Sequence, residues 1–154
     1  MGDFAVIPEQ TGWSISAPVE NLTLGSWKAQ KQPFYSWGVS YSKEYEVKSL
    51  STPYAVQLND WKGTLAEVYV NDQKAGIIAY DPYRLDITPY LKEGKNKVDV
   101  RVIGSHKNLL GPHYRHPAPG LASPWHWKNI DKQIPGSEYQ MLDYGLMTDF
   151  DLVH

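Results

Sequence analysis

Two tryptophans separated by one residue, Trp125 and Trp127 around His126, are the side chains in this sequence best suited to recognition chemistry. In an extended backbone, alternate side chains share a side and sit about 7 Å apart. Two indoles so placed can cover the C–H face of one or two pyranose rings. The same pair can equally fold down to close the end of a β-sandwich, and both readings stand at this point. Close by in the chain lie Asn108, His113, Arg115 and His116, with Arg84 behind them. Arginine offers a fork of donors and asparagine both a donor and an acceptor, which suits vicinal hydroxyls; arginine also suits a uronic carboxylate. The alternative is that these groups satisfy the backbone of their own long loop.

Other aromatic residues divide by position. Trp37, beside Gly38 at a loop-to-strand boundary, is a ligand candidate, and Tyr80 and Tyr83 flank Asp81-Pro82 on an expected rim. Trp27 and Trp61 fall in framework segments and are expected to pack. Asp86 is expected to bond backbone donors in the turn that follows it. Aromatic residues make up 13% of the chain, with six Trp and eleven Tyr against three Phe, a skew toward rings with a polar edge.

Catalytic readings find little support. Glycoside hydrolysis needs two carboxylates about 5 to 9 Å apart, and no spacing marks such a pair. His106, His113 and His116 supply three imidazoles, but no His-Glu-x-x-His pattern accompanies them. Asp60, Asn71 and Asp72 offer oxygen ligands in turns and leave room for a structural calcium ion, with no other cofactor expected. Cysteine is absent, which removes disulfides, thiolate metal sites and a cysteine nucleophile. A formal charge of -2 and a pI near 6.2 provide no broad positive field for nucleic acid or an anionic membrane. Nor does any apolar run approach the roughly 20 residues of a membrane helix.

The elements that must hold these residues are strands. From Val39 to Val47, odd positions carry Val39, Tyr41, Tyr45 and Val47 while even ones carry Ser40, Ser42, Glu44 and Glu46, with Lys43 as the single break. Period-two runs recur at Tyr54 to Leu58, Ala66 to Val70, Val98 to Val102 and Leu146 to Leu152. Turn residues separate them at Asn59-Asp60, Asn71-Asp72 and Glu93-Gly94. One helical turn is expected at Thr88-Pro89-Tyr90-Leu91, with Thr88 capping and Pro89 first in the helix. An all-β, two-sheet antiparallel jelly-roll sandwich follows, with a long aromatic and His-rich loop from Ser105 to about Gln140. At 154 residues the chain is read as one domain, 1–154, in which Met1 and Gly2 are an added start.

Residues Ala66 to Asn71, then Gly76, then Pro82-Tyr83-Arg84-Leu85-Asp86-Ile87-Thr88-Pro89-Tyr90-Leu91 through Val98, carry a family pattern. This stretch resembles the galactose-binding-like jelly-roll sugar-binding domain attached to family 2 and related glycoside hydrolases. Upstream, Gly25-Ser26-Trp27 and Pro33-Phe34-Tyr35 are similar to the opening of such domains in bacterial plant-polysaccharide hydrolases. The resemblance spans about Gly25 to Ile103 and the closing Tyr144-Gly145-Leu146. It departs at Asn71-Asp72, where Asn-Gly is usual, and in the length of the Ser105 to Gln140 insertion, so only the structural motif is carried over. It implies a non-catalytic carbohydrate-binding module, monomeric, covalently linked to a catalytic domain and held outside the cell or in the periplasm. The expected partner is a plant cell-wall polysaccharide or oligosaccharide; the rival expectation is an accessory sandwich that packs on the catalytic domain without binding glycan.

Overall fold

The computed structural model describes residues 4–113, 123–124 and 134–154. It is an all-β, two-layer antiparallel sandwich. The first layer holds four strands in the order β3-β9-β6-β7: β3 (Gly38–Val47), β9 (Gly94–Ile103), β6 (Leu65–Val70) and β7 (Gln73–Ile78). The second holds β11 (Asp151–Val153), β4 (Ala55–Gln57) and β8 (Arg84–Asp86) in the order β11-β4-β8. Two small ladders complete the strands. One joins β5 (Trp61–Lys62) to β10 (Gly145–Leu146), and the other joins β1 (Ala5–Pro8) to β2 (Trp13–Ser16).

Val98, Val100 and Val102 of β9 and Ala66, Val68 and Val70 of β6 point into the sandwich. They meet Val56, Leu58, Ile87 and Phe150 from the opposite layer and its flanks. All ten side chains are essentially inaccessible, so apolar burial across the two layers is the main force joining them. In β3 the alternation holds from Val39 to Val47, Lys43 included, whose side chain lies on the inner side of the strand. Its ammonium reaches Phe150 O at 3.1 Å and Asp149 Oδ2 at 3.0 Å, so the aliphatic stem is covered while the charge finds oxygen.

Three local expectations change. Thr88 opens a 3-10 turn, Thr88–Tyr90, but Ile87 occupies the cap position. The Thr88 hydroxyl is instead spent on Asp86 Oδ1 at 2.6 Å and on the backbone of Tyr54, bracing β8 against the start of β4. Asp86 accepts from the Thr88 backbone N–H at 2.9 Å, the local bond its position predicts. The terminal alternating run is two pieces, since the chain leaves β10 and turns at Thr148 before joining β11. Finally, the long insertion starts with a one-turn helix, α1 (Lys107–Leu110).

Candidate functional site

Beside the small β5–β10 ladder lies an open cleft of about 450 Å³. One wall is made by Trp61 and Lys62 of β5, Ala79 after β7, and Tyr83 before β8; the segment Met141 to Tyr144 forms the other. Trp61 and Tyr83 meet at right angles, with ring centroids 5.4 Å apart and planes at 86°. Edge-to-face packing of this kind fixes both rings while leaving surface available to a flat ligand. Gly63 follows Lys62 in the lining, where a Cβ would lie 2.8 Å from Val102 Cγ1, 2.9 Å from Ile103 O and 3.1 Å from Trp61 Cζ3. Only a glycine lets β5 lie this close to β9.

Charge enters from both walls. Asp143 Oδ1 accepts from Ser26 Oγ at 2.6 Å and lies 3.1 Å from Lys28 Nζ. The Ser26 hydroxyl, aided by Lys28 and by the nearby charge of Lys62 against some burial, holds the Asp143 carboxyl below the usual carboxylate range. Asp143 is therefore an anion at neutral pH with a fixed orientation. Lys62 lines the same cleft and is exposed.

The candidates from sequence distribute unevenly around this cleft. Tyr83 lines it. Arg84 follows Tyr83 in β8 and is exposed, while Leu85 packs inward; Arg84 is not part of the cleft wall. Trp37 is 62% exposed and lies outside the lining, its carbonyl accepting from Gly104 N at 3.3 Å.

Asn108 requires correction as a ligand contact. It is 1% exposed, with both amide hydrogens committed to Pro33 O (2.9 Å) and Leu142 O (2.8 Å), while its oxygen accepts from Leu142 N at 2.8 Å. It satisfies backbone groups, as the alternative reading has it, but at Pro33 and Leu142 on either side of its own loop rather than within it.

His113 is partly buried in a ring cluster. It stacks on Tyr139 at 5.3 Å and meets Phe34 edge-on at 5.8 Å, and Trp13 packs on both Phe34 and Tyr139. Burial, with Lys107 nearby, lowers the His113 pKa. Arg115, His116, Trp125 and Trp127 lie outside the described residues.

Trp27 and Trp61, both expected to pack, part company. Trp27 is buried and donates from Nε1 to Tyr41 Oη at 2.9 Å. Trp61 packs only in part and forms the cleft wall. With Lys62 and Asp143 it is what sequence reading missed; its one signal is a large ring directly after the Asn59-Asp60 turn, where the chain is near the surface. The oxygen groups of Asp60, Asn71 and Asp72 are not drawn together: the Asn71 carboxamide is spent on Asn96 and Lys97, and Asp60 belongs to a different turn. Among the described residues no cluster of three or more acidic, His or Cys side chains is suited to a metal ion. Among those same residues no helix is long and apolar enough to cross a membrane.

Comparison with known proteins places this geometry in context. Over 112 residues, 64% of its length, the chain is 29% identical to a protein of Formosa agariphila named "Putative beta-glucuronidase". A second protein of that name and organism is 38% identical over 74 residues, 46% of this chain. The rhamnosidase of Novosphingobium sp. PP1Y superposes on 97% of the chain with a TM-score of 0.59 at 21% identity. The chain resembles a β-sandwich segment of glycoside hydrolases. It spans 10% and 9% of the length of the two curated relatives and 14% of the rhamnosidase. No protein-family model matches it.

Proposed function

We propose that this chain is a non-catalytic glycan-binding domain of a larger, secreted glycoside hydrolase, gripping plant cell-wall polysaccharide through the cleft beside Trp61 and Tyr83. The observation that carries the reading is the crossed indole and phenol on one wall, facing oriented charged groups, in a cleft large enough for a sugar unit. Similarity to about a tenth of much longer hydrolases supports an accessory part of such an enzyme. A single weak site is sufficient there, because the covalent link supplies a high effective concentration of enzyme at the polymer. The domain acts as a monomer in this reading and works outside the cell or in the periplasm.

Affinity electrophoresis of the chain against soluble plant polysaccharides, backed by calorimetry, tests the proposal. Tyr83→Ala and Trp61→Ala are expected to weaken retardation roughly tenfold each, since a stacking anchor is worth about 1.4 kcal/mol or more. Trp125→Ala and Trp127→Ala report on the second aromatic pair. Retardation that is unchanged in all four variants would remove the aromatic site, and no retardation by any polymer would remove glycan binding altogether.

A second reading is favoured by a different observation. Leu109 and Leu110 of α1 are 52% and 61% exposed, beside a buried Asn108 that fixes the helix. Adjacent exposed leucines on a rigid turn suit a face that packs on another domain of the same enzyme. In that case the polysaccharide panel is negative while Leu109→Ser and Leu110→Ser leave the isolated chain folded and more soluble.

A further inference from the structure

The cleft charges distinguish two kinds of sugar. Lys28 and Asp143 form a pair, and Ser26 adds a hydroxyl to the same Asp143 oxygen, so that carboxylate is compensated from within the protein. Lys62 differs: among the described residues its ammonium has no hydrogen bond and no ion-pair partner within 4 Å, although its charge is felt by Asp143, which lines the same cleft. Because Lys28, which lies outside the lining, already offsets Asp143, the Lys62 charge is left over beside the aromatic corner. Asp143 Oδ2 is also unspent among the described residues, which leaves an acceptor for a hydroxyl. Stacking face, hydroxyl acceptor and unpaired cation thus surround one volume.

Resting on the glycan-binding reading above, we propose that the cleft selects an acidic sugar, a uronic acid residue whose carboxylate pairs with Lys62 while its ring lies on Trp61 or Tyr83. A neutral sugar would use the rings and Asp143 but leave the cation idle. A uronate engages all three, and a charge-assisted bond is roughly twice as strong as a neutral one. Because Lys62 is exposed, the contact is screened by salt.

The test compares glucuronoxylan and polygalacturonate with the same polymers after carboxyl reduction, which removes the charge and keeps the ring stereochemistry. Calorimetry on the intact chain should show the acidic forms binding about tenfold more tightly at low salt. In Lys62→Gln that preference should shrink to within about twofold, with the reduced polymers bound as before. Raising the salt should erode the preference in the parent protein and change little in the variant. Lys62 is on the surface, and circular dichroism checks that Lys62→Gln is folded. Equal binding of acidic and reduced polymers overturns the uronate assignment while leaving a glycan site in place. An acidic preference that survives Lys62→Gln intact overturns the role of Lys62. Failure of every polymer to bind overturns the inference together with the function on which it rests.

Discussion

Asn96 is only 1% exposed and uses its carboxamide completely. Its nitrogen donates to Lys92 O and Gly94 O, and its oxygen accepts from Lys92 N and from Asn71 Nδ2. One side chain thereby shapes the turn into β9 and ties it to the β6–β7 hairpin. Asn96→Ala would strand several buried polar groups, and we expect about 3 kcal/mol of destabilisation in urea unfolding. The partner hairpin has a different economy. Asn71 and Asp72 both adopt the left-handed conformation, at φ 50° and 66°, between the paired residues Val70 and Gln73. Asn71 repays its strain by accepting from Lys97 N and donating to Asn96. Asp72 has only a 3.9 Å approach to Lys97 on an open surface. Asp72→Gly should therefore raise stability by roughly 0.5 to 1 kcal/mol, read as a higher urea midpoint with unchanged slope.

At the level of elements, glycines decide how closely strands approach. Gly145 of β10 has φ 128°, and a Cβ there would lie 2.6 Å from Gly25 O and 2.8 Å from Trp27 Nε1. Gly145→Ala is expected to cost about 3 kcal/mol in thermal or urea unfolding, from backbone strain added to displacement of a buried indole. The β5–β10 ladder that carries Trp61 would loosen with it. Strand positions were legible because alternation is a property of the chain itself: Val39 to Val47 and Val98 to Val102 need no knowledge of their neighbours. Lys43 looked like an interruption because its salvation, Asp149 and Phe150 O, lies more than a hundred residues downstream. Thr88 failed as a cap for a similar reason, its hydroxyl being claimed by Tyr54, just ahead of β4. The site was less legible still. Asn108 and Trp61 have types that suit either packing or binding, and only the tertiary arrangement assigns one to the backbone and the other to the cleft.

Across the whole molecule, two packed regions coexist. The sandwich core draws on both layers, whereas Trp13, Phe34, His113 and Tyr139 form a separate ring cluster. The N-terminal hairpin holds that cluster down through Gly12 N to Ile134 O and Gly136 N to Glu9 O. Removing residues 1–16 should leave the sandwich folded, with its far-ultraviolet spectrum retained, while exposing the 134–141 segment to rapid proteolysis. The same cluster sets a pH dependence. Since burial lowers the His113 pKa in the fold, the unfolded chain takes up that proton more readily. The contribution is complete above the ordinary value of 6.5, declines as pH falls through it, and levels off below the folded value. Melting temperature should thus fall between about pH 7 and pH 5, and His113→Phe should flatten that part of the profile. Asn108 stands between the two regions, one hand on Pro33, next to Phe34, and the other on Leu142 at the cleft wall. Like a tuning screw set behind a panel, that single carboxamide holds the Met141 to Tyr144 segment from the rear, so its exchange is expected to alter the cleft from a position outside the lining.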